Sequence, residues 1–194
     1  MTTHTKQRIT SEARTLFATN GYEGFTMRVL AIQSGVGLSS IYHFFNDKDE
    51  LLRYIFDETS KQLGLERSKL AQRKTASQML HERIQFQFAH IEKVVFVLKY
   101  YLHFRNNFLK LDGGYIPSKA YLHIDEVLRF GVQTKEFSFS DAQIHQEAKV
   151  VTHAINGFLL EYYPEVIGKT ELKKVTTSIH RFVMRSLTNK EVII

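Results

Sequence analysis

Two prolines in 194 residues, Pro117 and Pro164, set the strongest limit on what this chain can fold into. Proline ends or kinks helices, because it lacks the backbone N–H and its ring clashes with the preceding turn. A chain nearly free of it, with apolar residues at helical spacing over long runs, predicts an all-α protein. Ile9, Ala13, Leu16 and Phe17 fall at i, i+4, i+7 and i+8, one apolar stripe of a helix over 6–19. Asn20-Gly21 closes that helix, since both residues tolerate left-handed backbone. Thr26 is a hydroxyl N-cap for a short helix over 27–33. Ser34-Gly35-Val36-Gly37 then turns the chain into a second short helix over 38–44. Two short helices joined by a glycine turn outline a helix-turn-helix.

Asn46-Asp47-Lys48-Asp49-Glu50 starts a longer helix that runs to about residue 70. Asn46 with Asp49, or Asp47 with Glu50, forms its capping pair. Further helices are expected over 76–90, 92–110, 118–133, 141–162 and 170–188, with Ser140-Asp141 and Thr170 as caps. No Pro/Gly/Ser-rich linker separates the halves, so the helix over 47–70 is expected to join them.

The absence of cysteine excludes a disulfide framework, a thiolate zinc finger and a cysteine nucleophile. There is no HExxH, no GxSxG and no phosphate-binding glycine loop, and no two of the 9 histidines stand three or four apart. Neither catalysis nor a cofactor nor a metal is implied. No run reaches the length of a membrane span, and the polar N-terminus lacks a signal-peptide core, which predicts a cytoplasmic protein with no membrane partner. The net charge of +6 is compatible with nucleic acid, yet its excess is central. Residues 54–110 hold 10 Lys/Arg against 5 Asp/Glu, while residues 1–53 hold 6 against 5. The central run reads either as a solvated helix face or as a direct nucleic-acid surface.

The string TMRVLAIQSGVGLSSIYHFFNDKDELL at residues 26–52 resembles the DNA-binding segment of the TetR family of transcriptional regulators. Leu30-Ala31 and Ser34-Gly35-Val36 fit the family's Ile-Ala-x-x-Ala-Gly-Val, and Ile41-Tyr42-x-Phe44-Phe45 its Leu-Tyr-x-[His/Tyr]-Phe. Lys48-Asp49-Glu50-Leu51-Leu52 fits its Lys-x-x-Leu-Leu. Upstream, Ala13, Phe17, Gly21, Tyr22 and Phe25-Thr26 keep the family's spacing. The likeness covers about residues 6–52. It implies a three-helix DNA-binding domain over 1–50 and a helical ligand-sensing and dimerising domain over 51–194.

By this resemblance Tyr42 and Lys48 hold phosphates. The other readings are an aromatic wedge in the small core for Tyr42 and an exposed surface lysine for Lys48. Thr26 can cap its helix and donate to a phosphate. Arg28, Ser39, Ser40 and His43 are candidate readers of base edges or phosphates. Phe44 and Phe45 read as core. Two positions depart from the family. Gly37 stands where a Ser or Thr cap is usual, at a cost of a few tenths of a kcal/mol. Leu38 replaces a common Lys, which removes a phosphate contact and offers an apolar group to a thymine methyl.

Residues 96–108 carry six aromatic rings, five from Phe and Tyr and one from His103, on more than one helical face, either core or pocket wall. On the pocket reading, Tyr101, His103, Arg105 and Asn107 would supply polar groups to a ligand, joined by His153 and Asn156. Arg105 would favour an anionic effector, acyl derivatives among them. Gly157 is expected to permit close helix approach, since it costs about 1 kcal/mol against alanine inside a helix. Members of the family dimerise through their last two long helices. Val151, Ile155, Phe158, Leu159, Ile179, Phe182 and Val183 are therefore candidates for core or interface. The implied function is a repressor that binds a palindromic operator as a homodimer and is released by a small molecule. The alternative is an activator or a ligand-independent regulator of the same fold.

Overall fold

The computed structural model describes residues 2–70, 75–108, 122–165 and 168–188, with side-chain surroundings given for all of these except 2, 3 and 105–108. Nine α-helices and no strands occur among the described residues. They are α1 (Thr2–Asn20), α2 (Met27–Ser34), α3 (Leu38–Phe44), α4 (Lys48–Ser68), α5 (Ala76–Ala89), α6 (Ile91–Phe108), α7 (Leu122–Gln133), α8 (Asp141–Tyr162) and α9 (Lys169–Thr188).

The chain divides into two compact units. The first comprises residues 1–67 and 92–112, so it holds α1 to α4 together with α6 from Glu92 onward. The aromatic seam of α6 packs on α1 and α4. Phe96 meets Phe17 edge-on at 5.3 Å, and Tyr100 stacks on Phe56 at 4.5 Å. Lys99 caps the end of α1 by donating to the Ala18 carbonyl, and Arg14 pairs with Glu92 at 2.9 Å. Burial lowers the pKa of Lys99 and pushes that of Tyr100 up to about 12.

Within the first unit, Ile9, Ala13, Leu16 and Phe17 are buried, as their spacing predicts. Gly21 takes a φ of 70° and donates its N–H to the Phe17 carbonyl, closing α1. Thr26 caps α2 by accepting from the Val29 N–H at 3.1 Å. Gly35, at φ 61°, ends α2 and leads to α3. Gly37 gives α3 no side-chain cap, consistent with the missing hydroxyl. At the start of α4 the Glu50 N–H donates to Asp47 Oδ1 at 2.7 Å, and Glu50 Oε2 accepts from the Asn46 N–H at 2.8 Å. Asp47 and Glu50 therefore form the cap, with the return bond shifted back by one residue.

The second unit comprises residues 68–91 and 113–194, with α5, α7, α8 and α9 among the described residues. Its core is built from Leu80, Ile84, Phe88, Ile124, Val127, Leu128, Ile144, Val151, Ile155, Leu159, Ile179 and Val183. Ser140 and Gln143 form a reciprocal capping box at α8. Glu136 caps α5 from a distance, accepting from the N–H groups of Ala76 at 2.7 Å and Ser77 at 3.2 Å. No helix among the described residues is long and apolar enough to cross a membrane.

Candidate nucleic-acid interface

The helix-turn-helix is built from the burial of one face of α3. Ile41 and the following Phe45 are buried, at 0% and 3% exposure. On a helix of 3.6 residues per turn, Ser39, Tyr42 and His43 then point the other way. All three are exposed, as is Ser40. Tyr42 keeps 48% of its surface and is no core wedge. Phe44 is half-buried. Leu38 is also half-buried, at the edge of the exposed face beside Tyr42. Thr26 and Arg28 are exposed at the start of α2. The reading residues expected from the sequence thus share the solvent side of α2 and α3.

Lys48 is partly buried and heavily engaged. Its ammonium donates to the Tyr22 carbonyl at 3.1 Å and the Phe25 carbonyl at 3.2 Å, and lies 3.5 Å from the centre of the Tyr22 ring. An ammonium has three N–H donors, and the two carbonyls take two of them. The Tyr22 hydroxyl donates to Asp49 Oδ1 at 2.6 Å. That bond, with burial and the charges of Asp49, Glu23 and Asp47, pushes its pKa up to about 12. Sequence reasoning placed Tyr22 in the motif but gave it no role, because its partners come from α4 and α6. Arg8 was also missed; it reaches from α1 to the Gly35 carbonyl at 3.3 Å. Ile32, four residues after Arg28 on α2, is 78% exposed.

Of the six residues expected to line a ligand pocket, four have described side chains. Tyr101 and His103 belong to the first unit, and His153 and Asn156 to the second. His103 stacks face to face on Tyr22 at 3.8 Å. Tyr101 is half-buried, His153 exposed and Asn156 half-buried. The side chains of Arg105 and Asn107 lie outside the described residues. The residues expected as core or interface divide by exposure. Val151, Ile155, Leu159, Ile179 and Val183 are at most 4% exposed and fill the core of their own unit. Apolar spacing alone does not distinguish a core stripe from an interface stripe. Phe182 is 55% exposed, and Phe158 is half-buried against it, ring centres 6.1 Å apart. A Cβ at Gly157 would meet nothing within 4 Å among the described residues, so this glycine makes no close helix approach there.

A short helix laid across a second, with its polar face free and an N-capped helix and a lysine beside it, is the construction of a helix-turn-helix DNA-binding domain. Residues 9–55 match the family model described as bacterial regulatory proteins, tetR family. The HTH-type transcriptional repressor AcnR of Corynebacterium glutamicum is 36% identical over 62 residues. That match covers 32% of this chain and about a third (33%) of the length of AcnR. The fold resembles that of the fatty acid degradation regulator FadR from Bacillus halodurans, with a TM-score of 0.71 and 18% identity over 96% of this chain and 97% of that one. It also resembles the transcriptional regulator FadR from Bacillus subtilis, solved in complex with stearoyl-CoA. There the TM-score is 0.61 and the identity 17%, over 92% of this chain and 97% of that one. These relatives are regulators, not enzymes.

Proposed function

We propose that the chain is a cytoplasmic transcriptional repressor that binds a palindromic operator as a homodimer and is released by a small molecule. The observation that carries this reading is the free face of α3 opposite Ile41. Ser39, Ser40, Tyr42 and His43 offer short or planar groups to base edges and phosphates, and Leu38 flanks them. Gly37 leaves the entry to α3 open. Thr26, Arg28 and the remaining donor of Lys48 supply phosphate contacts at the rim.

The second copy of the chain meets the α8–α9 surface. Val150, Gly157, Phe158 and Phe182 leave apolar area there that their own unit does not cover. The effector is an anionic molecule with an apolar body. The stearoyl-CoA complex of the Bacillus subtilis regulator supports that class by analogy of fold.

The test is fluorescence anisotropy with DNA from directly upstream of the gene, at two salt concentrations and against an unrelated duplex. Tight binding to the first duplex alone, weakening steeply as salt rises, is expected. Equal and weak binding to both duplexes would count against a regulator of its own promoter. A duplex selected from a random library then decides whether the chain reads DNA at all.

A further inference from the structure

We propose that Tyr22 is a positioning residue for operator binding, holding the Lys48 ammonium in place while the C-terminal part of α6 holds Tyr22. The inference rests on the DNA-binding reading above and adds residues to it. Lys48 lies on a four-carbon stem, and a free lysine on a surface samples many rotamers. Here the ammonium is fixed by two carbonyls and a ring, all within 3.5 Å. The carbonyls belong to Tyr22 and Phe25, and Phe25 directly precedes the Thr26 cap of α2. One side chain therefore ties the start of α4 to the entry of α2, the two places where phosphate contacts are expected. A phosphate that reaches the third N–H finds the ammonium already ordered. Pre-ordering removes part of the entropic cost of binding.

Tyr22 is itself held from two sides. Its hydroxyl donates to Asp49, the residue next to Lys48. Its ring is stacked by His103 at 3.8 Å with an interplanar angle of 16°, and met edge-on by Phe104 at 5.6 Å. Both aromatics lie on α6, well beyond residues 9–55 that define the DNA-binding domain by sequence. The raised pKa of Tyr22 keeps the phenol a donor to Asp49 at any physiological pH. The C-terminal part of α6 thus bears directly on the residue that orders the phosphate-gripping cation. Withdrawing His103 would free the Tyr22 ring, and with it the lysine.

The experiment uses the full-length protein and a duplex selected by it from a random library, with anisotropy read across a salt series. Lys48→Ala is expected to lower the slope of log K against log salt by about one. Tyr22→Leu is expected to lower it by the same amount, and the double variant to be no worse than either single one. Such non-additivity identifies action through the partner residue. His103→Ala, at an exposed position that folding tolerates, is expected to weaken binding several-fold, and His103→Phe to restore it. Melting curves confirm the fold of each variant. Additive effects of Tyr22→Leu and Lys48→Ala, or wild-type slopes in both Tyr22→Leu and His103→Ala, would overturn the proposal alone. If Tyr22→Leu does not fold, the His103 pair decides. A wild-type protein that selects no duplex would sink the DNA-binding reading and this inference with it.

Discussion

Leu38 is the residue at which the proposed reading head departs furthest in chemistry from the family it resembles. The segment from Thr26 to Asn46 carries one cation, Arg28. With a lysine gone from position 38, the edge of α3 offers a half-buried isobutyl group instead. The one apolar group a major groove presents is the thymine 5-methyl. Burying one methyl is worth about 0.8 kcal/mol, which is roughly fourfold in affinity. Replacing thymine by deoxyuridine at one position of the selected operator is therefore expected to cost about that factor. The loss should vanish in Leu38→Ala. A position-by-position uracil scan measured by competition gives the answer, and a scan flat at every thymine would exclude methyl readout by Leu38. Gly131 is a residue of the opposite kind, with no surface to offer and a purely steric role. A Cβ there would lie 2.2 Å from the Phe137 ring. Overpacking of that kind costs about 1–3 kcal/mol, so Gly131→Ala should lower the melting temperature by several degrees.

At the scale of elements, what was legible in the sequence is what is local in the chain. Thr26, Asp47, Thr75 and Ser140 each accept from a backbone N–H three residues on. Caps of that kind are written in adjacent letters, and all but Thr75 were read from them. The pairings that place α6 are not. Nothing near Phe96, Lys99 or His103 in the sequence names Phe17, Ala18 or Tyr22, some 80 residues earlier. The aromatic run was visible, but its destination was not, so core and pocket wall both stayed open. Glu136 on α5 is hidden for the same reason.

The seam between α5 and α9 is a further long-range pairing, and it titrates. The His81 and His180 rings meet at 4.8 Å, and His180 Nε2 donates to the Ser77 carbonyl at 2.9 Å. Burial lowers the pKa of both below 6.5, opposed at His81 by Glu82 and reinforced at His180 by His81. Below 6.5 the unfolded chain therefore binds protons that the folded chain refuses. The stabilisation is full above that value and is lost as the pH falls through the folded-state pKa values. Melting temperatures between about pH 5 and pH 8 should fall on the acid side, and His81→Leu should flatten that fall. An unchanged pH profile in the variant would remove His81 from the account.

For the whole molecule, the number of reading heads follows from how little charge each one carries. Residues 1–53 have 6 Lys/Arg against 5 Asp/Glu, so a single head has few phosphate contacts to offer. In the proposed dimer, affinity comes from joining two heads on one duplex, where the second contact is intramolecular. A two-fold axis would supply such a pair and make the operator palindromic. The surface proposed for that axis is the side of α8 and α9 away from their shared core. Phe182 and Val150 are 55% and 53% exposed there, and Phe158 leans on Phe182. Gly157 lies on the same helix, and a Cβ there would meet no other element among the described residues, which leaves room for a second backbone. A stable interface buries about 800 Å² on each partner, most of its energy concentrated in a few aromatic anchors. Phe182→Glu places a charge in the middle of that surface and touches no buried core residue. It is expected to leave helix content unchanged while shifting sedimentation from dimer to monomer at micromolar concentration. Because counterion release scales with the number of phosphates neutralised, the monomeric variant should also show about half the wild-type salt slope. A dimer that survives Phe182→Glu would place the axis elsewhere on the molecule. A monomeric variant that keeps the full slope would mean that one head alone makes all the phosphate contacts.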